Sequence, residues 1–482
     1  MPPVTPDCDL LVVGLGAAGA AAALTAARAG ASVVVLEKQP ADRHTPSTRM
    51  SGGLVMGVTD VAAATEYLDR CAGGMVPRDV SARWAERAVG LFDWLAARGL
   101  PMTAIGGAEH PELPGAEGIV VGQPGEARYR LDARGGAGTD LYTALLSAVA
   151  DTDVRVRWSS PAARLVRDDA GTVTGVRVGD DEGTVVRARS GVVLACGGYE
   201  FDEALKLDHL RAAPVYFYGN PGNTGDGVRM AQALGADLWH MNQMVGRAIG
   251  SFPMPDGSRL NLIIGIDPPG YVITDGAGRR FADESQQARL LHGFYYSLLG
   301  IDPATGRHPR VPCYWFFDDR RRAAGPLTYP HLGAGAVGLY TWSPDNRAEI
   351  ERGWIHPGAT VADAARAAGV ADPEAAEATV AAYNAGCAAG RDPLGRPAET
   401  LVPLDTPPYY CVPLYPGGSN TTGGPRRNAR AQVLDVFGEV IPGLYAAGEL
   451  GQASGLLYPA DGSNLSEALC FGQVAAECAL AG

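Results

Sequence analysis

The sequence predicts an α/β fold, with a parallel dinucleotide-binding sheet and a second, α+β domain inserted into it. Three observations lead there. Apolar strand, glycine turn, helix and second apolar strand follow one another within residues 9–37. After Asp237 the composition shifts towards aromatics, prolines and arginines. Near residue 403 the chain returns to strands and glycine turns of the first kind. The domains therefore read as 1–237 with 403–482, and 238–402 between them.

Residues 10–13 read as a buried strand running into Gly14-Leu15-Gly16-Ala17-Ala18-Gly19, a G-x-G-x-x-G turn. Residues 20–29 read as a helix stopped by Gly30, and 32–36 as a second strand ending in Glu37-Lys38. This is the Rossmann-type βαβ unit, in which each part has a physical job. Gly14 permits the tight turn, Gly16 lets the backbone approach a pyrophosphate, and Gly19 lets helix and strand pack closely. The helix N-terminus offers free N–H groups to phosphates. Glu37 stands where a carboxylate can take both hydroxyls of an adenosine ribose.

A polar loop, 39–50, leads to Ser51-Gly52-Gly53. Thr48 and Ser51 can hydrogen-bond a ligand lying on this backbone, and His44 reads as an exposed loop residue. Residues 80–98 have helical spacing, with Trp84, Leu91 and Trp94 on the apolar side. Glu109-His110-Pro111-Glu112-Leu113-Pro114-Gly115 is a rigid loop carrying a lone histidine. The glycines of 135–139 follow Asp132 and Arg134 rather than an apolar strand, so they make a poor second dinucleotide site before a helix at 140–150. Short strands follow at 154–156, 163–166, 173–178 and 184–188. A further strand, 192–195, ends at Gly197-Gly198-Tyr199, a second close backbone approach. Asn223-Thr224-Gly225-Asp226-Gly227 opens a helix, 228–234.

In the middle domain 271–274 and 312–317 read as strands, and 286–299 and 362–387 as helices. The chain returns through a strand at 409–413, Thr421-Thr422-Gly423-Gly424, and strands at 431–434 and 441–449, the last ending in Gly448-Glu449. A loop, 450–463, and a helix, 465–480, close it.

The 482 residues carry a net charge of −13, which argues against nucleic acid and anionic membranes as partners. The apolar N-terminal stretch is cut by Gly19, Arg28 and Gly30, too interrupted for a signal or transmembrane helix. The eight cysteines are scattered without ligand spacing. They read as reduced thiols of a cytoplasmic protein, with no metal expected.

Taken in order, these motifs resemble the flavoprotein family of fumarate reductase, the succinate dehydrogenase flavoprotein subunit and 3-ketosteroid dehydrogenase. Further marks are Gly278-Arg279-Arg280-Phe281-Ala282-Asp283-Glu284 and Gly225-Asp226-Gly227. The resemblance implies FAD and a cap domain closing over it. It implies that Gly14, Gly16, Ala18, Gly19, Glu37 and Lys38 hold the ADP half. Thr48, Ser51, Gly52, Gly53, Gly197, Asp226 and Gly448 line the rest, and Glu449 takes the ribityl chain. Asn464 and Leu465, at the start of the last helix, would face the N1 and C2-carbonyl edge, where the helix dipole favours anionic reduced flavin. The register of a flavin-linking histidine falls on Pro46, so the flavin is expected to be non-covalent.

Within the family, the substrate side separates the branches. The arginine of fumarate reductases, a dozen residues before Phe471-Gly472, is replaced by Pro459. A dicarboxylate would lose a bidentate ion pair there. Tyr458-Pro459-Ala460-Asp461-Gly462 instead resembles the Tyr-Pro-Gly-x-Gly of 3-ketosteroid dehydrogenases, whose tyrosine hydroxyl and last glycine N–H bind the substrate ketone. Two departures stand out. Ala288 occupies the position of that branch's catalytic tyrosine, leaving Tyr295 and Tyr296 nearest, of which at most one faces a cleft. His110 replaces a tyrosine before Pro111-Glu112-Leu113-Pro114-Gly115. An imidazole suits proton abstraction near neutral pH better than a phenol.

The expected chemistry is desaturation of a cyclic, hydrophobic ketone: Tyr458 and Gly462 stabilise the enolate, His110 or Tyr296 handles the proton, and the β-hydride goes to the flavin. The alternative is an ene-reductase of fumarate reductase type; a non-catalytic FAD-binding subunit is the third reading. No second dinucleotide unit is present for a nicotinamide, so oxygen, a quinone or another carrier would exchange the electrons.

Overall fold

The computed structural model describes residues 6–125, 137–180, 182–266, 268, 270–289 and 291–482. Asp132, Arg134 and Gly135 of the second glycine-rich piece lie outside them.

The βαβ unit forms from strand Cys8–Val13, helix Ala17–Arg28 and strand Val33–Leu36. The two strands are parallel, Leu10 opposite Val33 and Val13 opposite Leu36. Their side chains are almost all buried on both faces, as a doubly covered parallel sheet requires. The sheet path runs Gln432–Leu434, Val440–Ala446, Val185–Leu194, Cys8–Val13, Val33–Leu36, Arg155–Arg157. All its pairings are parallel except the first hairpin. The strands expected at 184–188 and 192–195 are one strand, Val185–Leu194. Gly191, at φ +134°, carries it past an irregularity in its pairing with Cys8–Val13. Its first half pairs antiparallel with Val173–Val178, which pairs with Ala162–Arg167.

The last helix, Ser463–Ala481, lies on the first. The two come close because Gly472 faces Ala18; an added Cβ at Gly472 would overlap the Ala18 carbonyl. The helix expected over 80–98 breaks into Arg78–Ala88 and Leu91–Ala96, with Gly90 between them. The one expected over 362–387 breaks into Val361–Ala368 and Pro373–Ala388; Gly369 turns left-handed (φ +85°) and Asp372 caps the second.

The second sheet is antiparallel through its core, in the order Arg259–Leu262, Met244–Pro253, Tyr409–Thr421, Cys313–Asp318, Tyr271–Thr274. Tyr409–Thr421 is thirteen residues long and joins this sheet, although it follows the border drawn at 402/403 from sequence. A three-stranded sheet, Val55–Val58, Ile119–Pro124 and Met102–Gly106, stands apart from both. No helix among the described residues is long and apolar enough to cross a membrane.

Candidate active site

One cavity of about 1480 Å³ runs from the glycine turn to the second sheet. That exceeds the usual size of a single small-ligand pocket and leaves room for a dinucleotide and a second molecule.

At its dinucleotide end the wall is Gly14, Leu15, Gly16 and Ala18. Gly14 has φ +95°, and an added Cβ would stand 2.5 Å from the Ala195 carbonyl oxygen. An added Cβ at Gly19 would overlap the Gly14 carbonyl, so Gly19 packs the helix against the turn and does not line the cavity. At Gly16 the nearest atom to an added Cβ is Thr48 Oγ1 at 3.6 Å; the space above this glycine is open. Thr48 Oγ1 accepts from the Ala17 N–H at 2.8 Å, while the Gly16 and Ala18 N–H groups make no hydrogen bond among the described residues. An open glycine cradle at a helix N-terminus with free donors fits a pyrophosphate.

Glu37 accepts from the Leu15 N–H at 2.9 Å and from the Gln39 N–H at 2.8 Å. Burial would raise its pKa, but His44 and these donors together hold it below the ordinary glutamate range. His44 is therefore not an exposed loop residue. It is buried, with Nε2 3.4 Å from Glu37 and Nδ1 2.9 Å from the Tyr142 hydroxyl, and Trp158 packs edge-on against it. Lys38 lines the cavity, with its ammonium bonded to Asp226 at 2.7 Å and to Thr224 at 2.8 Å. Ser51 Oγ donates to the Thr48 carbonyl and accepts from the Gly53 N–H, shaping the turn that Gly52 and Gly53 present to the cavity.

The middle of the cavity carries Glu449, held by Ser47 Oγ at 3.1 Å and Asn223 Nδ2 at 3.0 Å. Buried Glu200 stands behind it and accepts from the Thr421 N–H. Burial, together with each other's charge in the case of Glu449, pushes the pair up, Glu200 to about 7 and Glu449 to about 8. Gly197 and Gly448 adopt φ +77° and +78° on the same wall.

The far end is where the second sheet meets the final loop. Tyr458 is buried against Val245 of Met244–Pro253. Burial drives its phenol far above the ordinary tyrosine range, even though the Ser463 hydroxyl and Asn464 N–H beside it favour ionisation. It stays a protonated donor at neutral pH. Gly462, at φ +78°, caps the last helix; an added Cβ would overlap the Leu54 carbonyl. Its N–H makes no hydrogen bond among the described residues, and it lines the cavity with Asn464 and Leu465.

Neither His110 nor Tyr296 stands on the cavity wall. The His110 ring is buried with Nδ1 3.5 Å from Glu112; the His110 backbone N–H donates to the Tyr67 hydroxyl, which in turn donates to the Pro459 carbonyl. Tyr67 thus ties the His110 loop to the Tyr458 loop from behind. The Tyr296 hydroxyl donates to Gln243. Three residues with no role in the sequence reading stand here instead. Arg247 and Asp461 line the cavity, and Glu109 adjoins Asp461, its N–H bonded to the Pro459 carbonyl at 2.9 Å. Among the described residues no group of three or more His, Cys, Asp or Glu could hold a metal.

A parallel sheet with an open phosphate cradle, leading into a cavity beneath a second sheet, fits an FAD-dependent oxidoreductase. The model of the family described as "FAD binding domain" matches residues 9–465, and the chain belongs to that family. The chain is 28% identical to the 3-oxosteroid 1-dehydrogenase of Mycobacterium tuberculosis, over 98% of each chain. It is 29% identical to the 4-oxocyclohexanecarboxylate 2-dehydrogenase of Sinomonas cyclohexanicum, over 97% of this chain and 92% of that one. In fold it is similar to the 3-ketosteroid delta1-dehydrogenase of Sterolibacterium denitrificans, with a TM-score of 0.83 at 23% identity, covering 98% of this chain and all of the other.

Proposed function

We propose that this protein desaturates a cyclic, hydrophobic ketone to the α,β-unsaturated ketone. The observation that carries the reading is a pair of donors at the substrate end of the cavity: the Tyr458 hydroxyl, kept protonated by burial, and the free N–H of Gly462. Two donors converging on one carbonyl oxygen stabilise the charge that develops when its α-carbon loses a proton. The names of the two relatives above, both dehydrogenases of cyclic ketones, support the same substrate class.

Apolar side chains, among them Val245, which packs on Tyr458, and Ile263 and Trp342, line the same cavity and suit a hydrophobic ring. A dicarboxylate is less well served. The Arg321 guanidinium is spent on the carbonyls of Gly265 and Pro326, and the charge of Arg247 is opposed by Asp461 and Glu109.

In this reading Gly14, Gly16, Ala18 and Glu37 hold the ADP half of FAD. Thr48 and Ser51 shape the wall, and Glu449 takes the ribityl chain. Leu465 offers a helix-terminal N–H to the ring. When bound, FAD supplies the two-electron acceptor for the β-hydride. Residues 238–402 act as the cap over the ring, and oxygen, a quinone or another carrier removes the electrons.

The test is turnover with an artificial electron acceptor and a panel of saturated cyclic ketones, 3-ketosteroids included, read by mass spectrometry. The expected product is lighter by two hydrogens. If no ketone is oxidised while the protein with reduced flavin turns over enones, the protein is the ene-reductase.

A further inference from the structure

We propose that Asp461 is the base that takes the α-proton of the ketone held by Tyr458 and Gly462, and that Glu109 positions and tunes it. The proposal rests on the ketone reading above and names the group that reading lacks.

Asp461 lies between the two ketone-binding residues in sequence. Its side chain opens into the cavity that Tyr458 and Gly462 also line. Gly462 opens the last helix in the left-handed region, a conformation that fixes the preceding Ala460-Asp461 turn; the Ser463 N–H closes that turn onto the Ala460 carbonyl at 3.1 Å. A carboxylate on this turn shares the cavity wall with both groups that would hold the ketone, and so would flank the carbon next to it. His110 and Tyr296, the proton handlers expected from sequence, are both directed elsewhere.

The charged and titratable neighbours of Asp461 are Glu109 from the adjoining loop, Arg247 from Met244–Pro253 and the Tyr458 phenol. Burial raises the Asp461 carboxyl above the ordinary range, and Arg247 opposes the rise. Burial and the Asp461 charge push Glu109 up to about 7. Below that pH Glu109 is neutral. Above it, a second negative charge increases the proton affinity of Asp461. A carboxylate strengthened by burial and a like charge is better matched to an α-proton than one in water.

The step balances as follows. The Cα–H bond breaks, the proton passes to an Asp461 carboxylate oxygen, and the electron pair enters the C–C bond to give the enolate, whose oxygen Tyr458 and Gly462 hold. Desaturation is completed by loss of a β-hydride to the two-electron acceptor that FAD provides.

Proton abstraction can be read without hydride transfer. The holoenzyme, its flavin reduced beforehand under anaerobic conditions, is incubated in D₂O with 4-tert-butylcyclohexanone or a saturated 3-ketosteroid, and α-deuterium is counted by mass spectrometry. Expected are enzyme-dependent exchange, a loss of about 100-fold in Asp461→Asn, and partial rescue in Asp461→Glu. Glu109→Gln is expected to lower exchange above pH 7 and to lose the inflection there. Flavin content of each variant reports on folding. Exchange by Asp461→Asn within twofold of the parent overturns the proposal and leaves the ketone reading standing. No exchange of either ketone by the parent protein overturns both.

Discussion

In the proposed reading Tyr458 binds the ketone through one property, a buried phenol that keeps its proton. Tyr458→Phe keeps the packing against Val245 and removes one of two donors. Ketone-driven reduction of the flavin is expected to slow by about 100- to 1000-fold in stopped-flow, with flavin content unchanged. Glu449 and Glu200 make a second residue-scale prediction. Their native pKa values, about 8 and about 7, lie above the ordinary value of 4.5. Between those values the folded protein holds protons that the unfolded chain has released. Stability of the flavin-stripped protein therefore falls as pH rises from about 5 to about 8. Thermal melts across that range show the slope, and Glu449→Gln flattens it. At this scale sequence reading worked where backbone geometry dictates the residue. Gly14 and Gly16 were legible as turn glycines because so tight a strand-to-helix turn admits few alternatives. His44 was not, because its burial depends on Tyr142 and Trp158, about a hundred residues away.

Among the elements, the contact between the first and last helices holds the glycine turn and the Tyr458 loop in one frame. Arg427 reinforces it from below, bonding the Gly451 carbonyl at 2.9 Å and pairing with buried Glu467 of the last helix. Gly472 sets the helix spacing, since even a Cβ would overlap the Ala18 carbonyl. Gly472→Val forces the helices apart at a cost of about 1–3 kcal/mol. A lowered melting temperature and weakened flavin retention are expected, read by differential scanning fluorimetry and by flavin absorbance after gel filtration. The βαβ unit and the last helix were legible from period and punctuation. Met244–Pro253, which carries Arg247, escaped because Gly246 and Gly250 interrupt its apolar run. Both glycines are needed for packing: an added Cβ would stand 2.7 Å from the Tyr295 ring at one and from the Phe252 ring at the other.

Over the whole molecule, one cavity joins the parallel sheet that carries the dinucleotide turn to the antiparallel sheet. The order of motifs along the chain was enough to read the first. The second was harder to see because Tyr409–Thr421, late in the chain, pairs with Met244–Pro253 and Cys313–Asp318 from the middle of it. Pairings that distant leave no local pattern in sequence. The central claim, that a ketone gives up a hydride in this cavity, is tested most directly by anaerobic rapid mixing of the oxidised protein with saturated cyclic ketones. Bleaching of the visible flavin band at a rate that saturates with ketone is the predicted result. A flavin that stays yellow with every ketone, yet after chemical reduction is rapidly reoxidised by the matching enones, would contradict it.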